Sequence, residues 1–232
     1  MLFRSKVGSL NFLAIQTRPD IAFATGVLSR FLTNPSPQHM KACDRIFRYL
    51  AGTIGRSIVL GGSSNTSLHG YTDSDYAGDI SSRRSTSGFV FFLGGGAISV
   101  QSKRQSKRQS TVALSTTEAE YFGLTRASME SSWIRQFLVE LGDTPRPVKL
   151  FGDNQSSLAL AENPEFHQRT KNIAVKHHYI REQVRNGFID LWFVPTEDMS
   201  ANGLTKPLTT IRHQRFVEQL RMQDIDLNIL ER

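Results

Sequence analysis

Disulfide bonding is excluded first, because the 232-residue chain has one cysteine, Cys43, and no second thiol to pair with it. No apolar run approaches the roughly 20 residues that cross a bilayer, so no membrane partner is expected. The opening Met1-Leu2-Phe3-Arg4-Ser5-Lys6 lacks the apolar stretch of a secretory signal. No Cys/His spacing suits zinc, and no glycine-rich phosphate loop is present. Gly94-Gly95-Gly96 reads instead as a tight hairpin turn.

What remains is an ordinary globular composition, 39% hydrophobic and 21% charged, with a net charge of +7 that favours an anionic partner. The first sixty residues read as helical. Ala24, Val27, Leu28 and Phe31 follow helical spacing, as do Cys43, Ile46, Phe47 and Leu50, with the loop Asn34-Pro35-Ser36-Pro37 between them. The polar run from Gly61 to Ser67 reads as a linker. From Leu68 the pattern turns to strands, and the order becomes β-β-β-α-β-α-α-β-α. It comprises a strand through Tyr71-Thr72-Asp73, a second from Phe89 to Leu93, and a third from Ala97. A long helix follows from about Thr117, with Ile134, Phe137, Leu138 and Leu141 on one face and Gly142 as its stop. Then come a strand from Val148 to Gly152, a helix capped by Asp153-Asn154, a helix from about Val175 to Val184, and a strand from Ile189 to Val194. This is an α/β mixed sheet with flanking helices, preceded by a small helical segment.

Three acids fall at element ends: Asp73 on the first strand, Glu120 in the first turn of the long helix and Asp153 after the fourth strand. Groups at such ends line one crevice in an open sheet. Clustered carboxylates need cations to neutralise them, and hard oxygen ligands suit Mg²⁺. Two such ions about 4 Å apart hydrolyse phosphodiesters without a protein nucleophile. The plain alternative is three unrelated surface acids and helix caps.

The motifs then carry a resemblance. Gly70-Tyr71-Thr72-Asp73-Ser74-Asp75-Tyr76-Ala77-Gly78-Asp79, Arg84-Ser85-Thr86-Ser87-Gly88, Ala113-Leu114-Ser115-Thr116-Thr117-Glu118-Ala119-Glu120-Tyr121, Asp153-Asn154-Gln155-Ser156 and Leu204-Thr205-Lys206-Pro207-Leu208 resemble the ribonuclease H domain of copia-type retrotransposon Pol polyproteins. Val7-Gly8-Ser9-Leu10, Thr17-Arg18-Pro19-Asp20-Ile21-Ala22 and Arg45-Ile46-Phe47-Arg48-Tyr49-Leu50 resemble the end of the preceding reverse transcriptase. The resemblance implies a reverse transcriptase thumb/connection-like segment over 1–60, a ribonuclease H-like mixed sheet over 67–208 and a C-terminal helical tail over 209–232. It implies an endonuclease cutting the RNA strand of RNA–DNA hybrids with two Mg²⁺ ions, or Mn²⁺, held by Asp73, Glu120 and Asp153. The reverse transcriptase portion of Pol is then a second partner. The setting is intracellular, in a cytoplasmic virus-like particle or the nucleus. Glu118 is read as a helix-start acid, and Asp75, sharing a strand face with Asp73, as its reserve.

This chain departs from the family pattern. Asn202 stands where a fourth carboxylate is expected; it keeps an oxygen but loses a charge. Asp198, four residues earlier, would replace it if that stretch were helical. Lys171-Asn172-Ile173-Ala174 and Val100 also differ, and the tandem Ser102-Lys103-Arg104-Gln105, Ser106-Lys107-Arg108-Gln109 is unusual. Together they point to a decayed or truncated element. The alternatives are a catalytically inactive nucleic-acid-binding remnant and a scaffold for a reverse transcriptase. Lys103, Arg104, Lys107 and Arg108 are candidate phosphate contacts, against the plainer reading of a solvated strand edge. Arg83 and Arg84 are similar but sparser. His177 and His178 are read as ordinary helical histidines near the site.

Overall fold

The structure, a computed structural model, describes residues 2–61, 67–78, 84–104, 115–144, 146–163 and 178–226. Three helices come first, α1 (Leu2–Gln16), α2 (Ala22–Leu28) and α3 (Pro37–Ala51). On α1, Phe3, Val7, Leu10 and Ala14 repeat at helical spacing and bury one stripe against Leu28, Cys43 and Ile46. On α2 it is Thr25, not Ala24, that turns inward, and Phe31 lies beyond α2 on a 3₁₀ turn. Pro37 opens α3 behind Ser36, whose hydroxyl accepts from the His39 N–H while His39 Nδ1 accepts from the Ser36 N–H.

The sheet is five-stranded, in spatial order β4-β3-β2-β5-β6. Its members are β2 (His69–Asp75), β3 (Thr86–Leu93), β4 (Gly96–Arg104), β5 (Val148–Gly152) and β6 (Ile189–Phe193), numbered after a short β1 (Arg56–Ile58). The first three form an antiparallel meander, and β5 and β6 join in parallel. Gly94 (φ 59°) and Gly95 (φ 95°) make the two-residue turn from β3 into β4, a left-handed pair that glycine adopts at little cost. α4 (Thr116–Glu140), α5 (Gln155–Glu162) and α6 (His178–Arg185) cover one sheet face. Tyr121, Leu124 and Ile134 of α4 pack there on Phe89, Phe91 and Leu150. The mixed sheet with flanking helices and a helical lead-in is thus the expected architecture.

Two details differ from expectation. Ile134 and Leu138 face the core, but Phe137 is exposed and stacks on Trp133, and Leu141 is exposed at the helix end. A 25-residue helix runs about 37 Å, longer than the sheet it covers, so its last turn outreaches the core. The tail is not helix alone. α7 (Thr210–Gln219) is followed by β7 (Met222–Asp224), which pairs antiparallel with β1. The second Ser-Lys-Arg-Gln copy and most of the Gly61–Ser67 stretch, the Lys171–Ala174 motif, and Arg83 and His177 lie outside the described residues; Ser102–Arg104 of the first copy end β4. Among the described residues, no helix is long and apolar enough to cross a membrane.

One polar network ties the lead-in helices to the tail. Arg18 and Asp20 form a buried ion pair at 2.8 Å, and the Tyr49 hydroxyl donates to Asp20 at 2.6 Å. Arg56 donates to the Tyr49 oxygen at 3.2 Å and makes a two-pronged contact with Asp224 of β7 at 3.0 Å. Tyr49→Phe removes one donor from a buried carboxylate. It is expected to cost about 1–2 kcal/mol, lowering the melting midpoint by roughly 2–8 °C. An unchanged midpoint in thermal unfolding followed by circular dichroism would show that the network does not stabilise the fold.

Candidate active site

The ladder between the two central strands is short: β2 pairs with β5 only from His69–Tyr71 against Lys149–Phe151. Beyond it β2 stays on β3 as far as Asp75, and β5 stays on β6 as far as Gly152. The two strands stop pairing at one end of the sheet. Asp73 stands on β2 two residues past the last pair, and Asp153 lies two residues past it, just after β5 ends. Glu120 enters from α4, five residues into the helix and not in its first turn, because capping by Ser115 starts the helix at Thr116. Gly123 allows that approach; a Cβ there would come within 2.4 Å of Ser74 Oγ.

The three carboxylates place oxygens within 4.8 Å of one another. Asp73 and Glu120 are buried and Asp153 is half-buried. At an effective dielectric of about 20, each ionised pair repels by about 3 kcal/mol. Burial first, then the charges of Asp73 and Asp153, pushes the Glu120 carboxyl up to about 9. Asp73 is also raised, by burial before anything else, while Lys206 and the Thr205 hydroxyl pull the other way. Lys206 Nζ is 3.7 Å from Asp73 Oδ2, and the Thr205 hydroxyl donates to the same oxygen. Thr196 donates to Asp153 Oδ2 at 2.8 Å. A compact set of hard oxygens with one cation beside it fits a divalent ion, which would supply the missing positive charge.

The other sequence-predicted residues are not members of this trio, although Asp75 and Asn202 lie beside it. Glu118 is half-buried at the helix start, its N–H donating to Ser115 Oγ at 3.2 Å. Asp75 shares the strand face of Asp73 and is half-buried, raised by burial and lowered by Lys206. Asn202 donates its amide to the Thr196 carbonyl, and its Oδ1 is buried without a hydrogen-bond partner among the described residues. Asp198 does not replace the missing carboxylate. Residues 196–198 and 202–204 are separate 3₁₀ turns, and Asp198 accepts from exposed Arg215 at 2.9 Å. Lys103 and Arg104 end β4 at the carboxylate end of the sheet, whereas Lys107 and Arg108 lie outside the described residues. Sequence reasoning missed Thr196, Thr205 and Lys206 as partners of the acids. The last two were visible only inside the Leu204–Leu208 motif.

No protein-family model matches the chain. It is 46% identical over 204 residues, 88% of its length, to the retrovirus-related Pol polyprotein from transposon TNT 1-94 of Nicotiana tabacum. It is 42% identical over 219 residues, 94% of its length, to that from transposon RE1 of Arabidopsis thaliana. Its homologues over most of its length are retrovirus-related Pol polyproteins of plant transposons. It spans 15% of the length of each of these two Pol relatives. Among solved structures it is similar to LC11-RNase H1 isolated from compost, at 17% identity and a TM-score of 0.41, over 61% of this chain and 94% of that one.

The raised Glu120 gives a signed expectation for pH. Below its ordinary value of 4.5 the carboxyl is protonated whether the chain is folded or not, and stability is untouched. As pH rises from there, the unfolded chain releases the proton while the folded chain holds it up to about 9. Metal-free stability therefore falls across that window, and a divalent ion offsets the loss. Melting with and without millimolar Mg²⁺ should show a shift of several degrees at pH 8 and a clearly smaller one at pH 5.5. Equal shifts at both values would remove the carboxylates from the explanation.

Proposed function

We propose that this chain is a ribonuclease H-type unit of a copia-type Pol polyprotein that cuts the RNA strand of RNA–DNA hybrids. The observation that carries the reading is the meeting of Asp73, Glu120 and Asp153 where the β2–β5 ladder ends. These three residues would hold two Mg²⁺ or Mn²⁺ ions. When bound, such ions supply activation of the attacking water and stabilisation of the leaving 3′ oxygen. In the reaction water oxygen joins phosphorus and the P–O3′ bond breaks, leaving a 5′ phosphate and a 3′ hydroxyl. The chain's own work is positional: Thr205 fixes one oxygen of Asp73, Thr196 fixes one of Asp153, and Lys206 holds part of the charge in check. Lys103 and Arg104 meet phosphates and set affinity without reading sequence. The RNA strand is recognised by its 2′-hydroxyls and groove shape.

Asn202 favours a second reading, in which binding survives and cleavage is impaired, because one negative charge is missing where the family pattern has an acid. An assay on labelled hybrid separates the two. With Mg²⁺ or Mn²⁺, wild type should cleave and Asp73→Asn should lose at least a hundredfold in rate, about 3 kcal/mol of barrier. Identical background cutting by both proteins would sink the nuclease reading. Asn202→Asp should raise the rate and lower the metal concentration needed; no gain would place any defect elsewhere.

A further inference from the structure

The outer face of α4 carries a second apolar row. Met129, Trp133, Phe137 and Leu141 follow one another at four-residue spacing and so lie side by side on the helix surface. All four are exposed, Trp133 by 63%, and the Trp133 and Phe137 rings stack at 5.9 Å. Leu124, Ala127 and Leu138, which pack on the sheet core, occupy the opposite side of the helix. One apolar stripe is enough to hold a helix on a sheet, and the outer row begins where α4 has already satisfied that need. Large apolar side chains grouped in this way mark an interaction surface.

The charges beside the row select its partner. Arg126 precedes Trp133 by seven residues and Glu140 follows it by seven, close to two helical turns each way, so all three share a face. Arg126 is half-buried, and neither it nor Glu140 has an ion pair among the described residues. Two copies laid antiparallel with their Trp133 side chains at the crossing put Arg126 of each beside Glu140 of the other, and Met129 beside Phe137. A parallel pair would set like charge on like. The face is thus complementary to itself under a twofold rotation, as a closed dimer requires. Aromatic side chains bury 150–250 Å² each, so the row on two copies offers on the order of 1,000 Å², the lower end of a specific interface. Glu120 is thirteen residues from the crossing, about 20 Å along the helix, which leaves both carboxylate trios outside the contact.

We propose that the outer face of α4 is a self-association surface, through which two copies of this chain pair antiparallel across Trp133. The pairing is independent of the nuclease reading and is tested without cleavage. Sedimentation velocity on the full chain, over a series reaching high micromolar concentration, should show the 26.1 kDa species giving way to one of twice that mass. Trp133→Glu should raise the dissociation constant about thirtyfold or more, while its unfolding midpoint stays that of the wild type because Trp133 faces water in the single copy. Arg126→Glu and Glu140→Arg should each weaken pairing about tenfold, since each variant sets like charges together at both ends of the contact. Mixing these two variants should restore it, because each then brings the charge that the other lacks. Should Arg126→Glu fail to fold, Glu140→Arg against wild type decides alone, and equal affinity overturns the inference. A wild type that stays at 26.1 kDa throughout, undiminished pairing by Trp133→Glu, or a mixture no tighter than its folded components also overturns it.

Discussion

Everything at the carboxylate end of the sheet is organised around one electrostatic difficulty, three acids whose oxygens share a space under 5 Å. A chain gains nothing in stability from such an arrangement, since desolvation and mutual repulsion both disfavour the charged forms. The geometry persists because each acid is fixed by an element that other forces hold. Asp73 stands on β2 and Asp153 directly after β5, strands whose outer ladders to β3 and β6 run on after their own ladder has ended. Glu120 is carried by a helix that buries Tyr121 and Leu124 in the main core. The hydrophobic contacts above and below the site thus determine where the charges must sit. Burial and the neighbouring charges of Asp73 and Asp153 push the Glu120 carboxyl up for the same reason.

The stretch after β6 supplies the remaining support, and it is itself braced from several directions. Gly88 on β3 lies so close to Leu204 that a Cβ would come within 2.5 Å of the Leu204 Cβ. Gly203 is pressed on the Phe216 ring of α7 in the same way. α7 continues into β7, β7 pairs with β1, and Arg56 of β1 meets Asp224 and Tyr49. Thr205 therefore reaches Asp73 from a segment whose position depends on both chain ends. Bracing of this kind holds a hydroxyl donor in place better than a loop alone could.

Much of this was legible in the sequence. The alternation of strands and helices from Leu68 onward was readable because periods of two and 3.6 residues are distinct, and the Gly94-Gly95 turn because few residues accept two left-handed dihedrals. The three acids were legible as element-end residues and, through their motifs, as a set. The ribbon of β1 and β7 was not, since three-residue strands carry no usable period and pair here across Arg56 and Asp224, 168 positions apart. Leu141 and Phe137 misled because helical spacing tells which residues share a face but not where the sheet beneath them ends. The roles of Thr196 and Thr205 were hidden for a related reason. A hydroxyl becomes a carboxylate's partner only through tertiary placement, and nothing local marks it.

Asn202 shows how position and chemistry separate. Its backbone sits beside the trio, since its carbonyl is 3.1 Å from the same Thr205 hydroxyl that reaches Asp73. Its side chain turns the other way, donating to the carbonyl of Thr196, whose own hydroxyl holds Asp153. An amide can make that bond and a carboxylate cannot, because only the amide carries N–H donors. Asn202 therefore braces the turn that orients Asp153. Asp198 ends the other 3₁₀ turn and pairs there with Arg215 instead. On the proposed reading, the first cation still meets three carboxylates, while a second meets a site poorer by one charge. The loss should then fall on the second ion more than on the first, and an excess of metal would compensate for it in a way that repacking the protein would not.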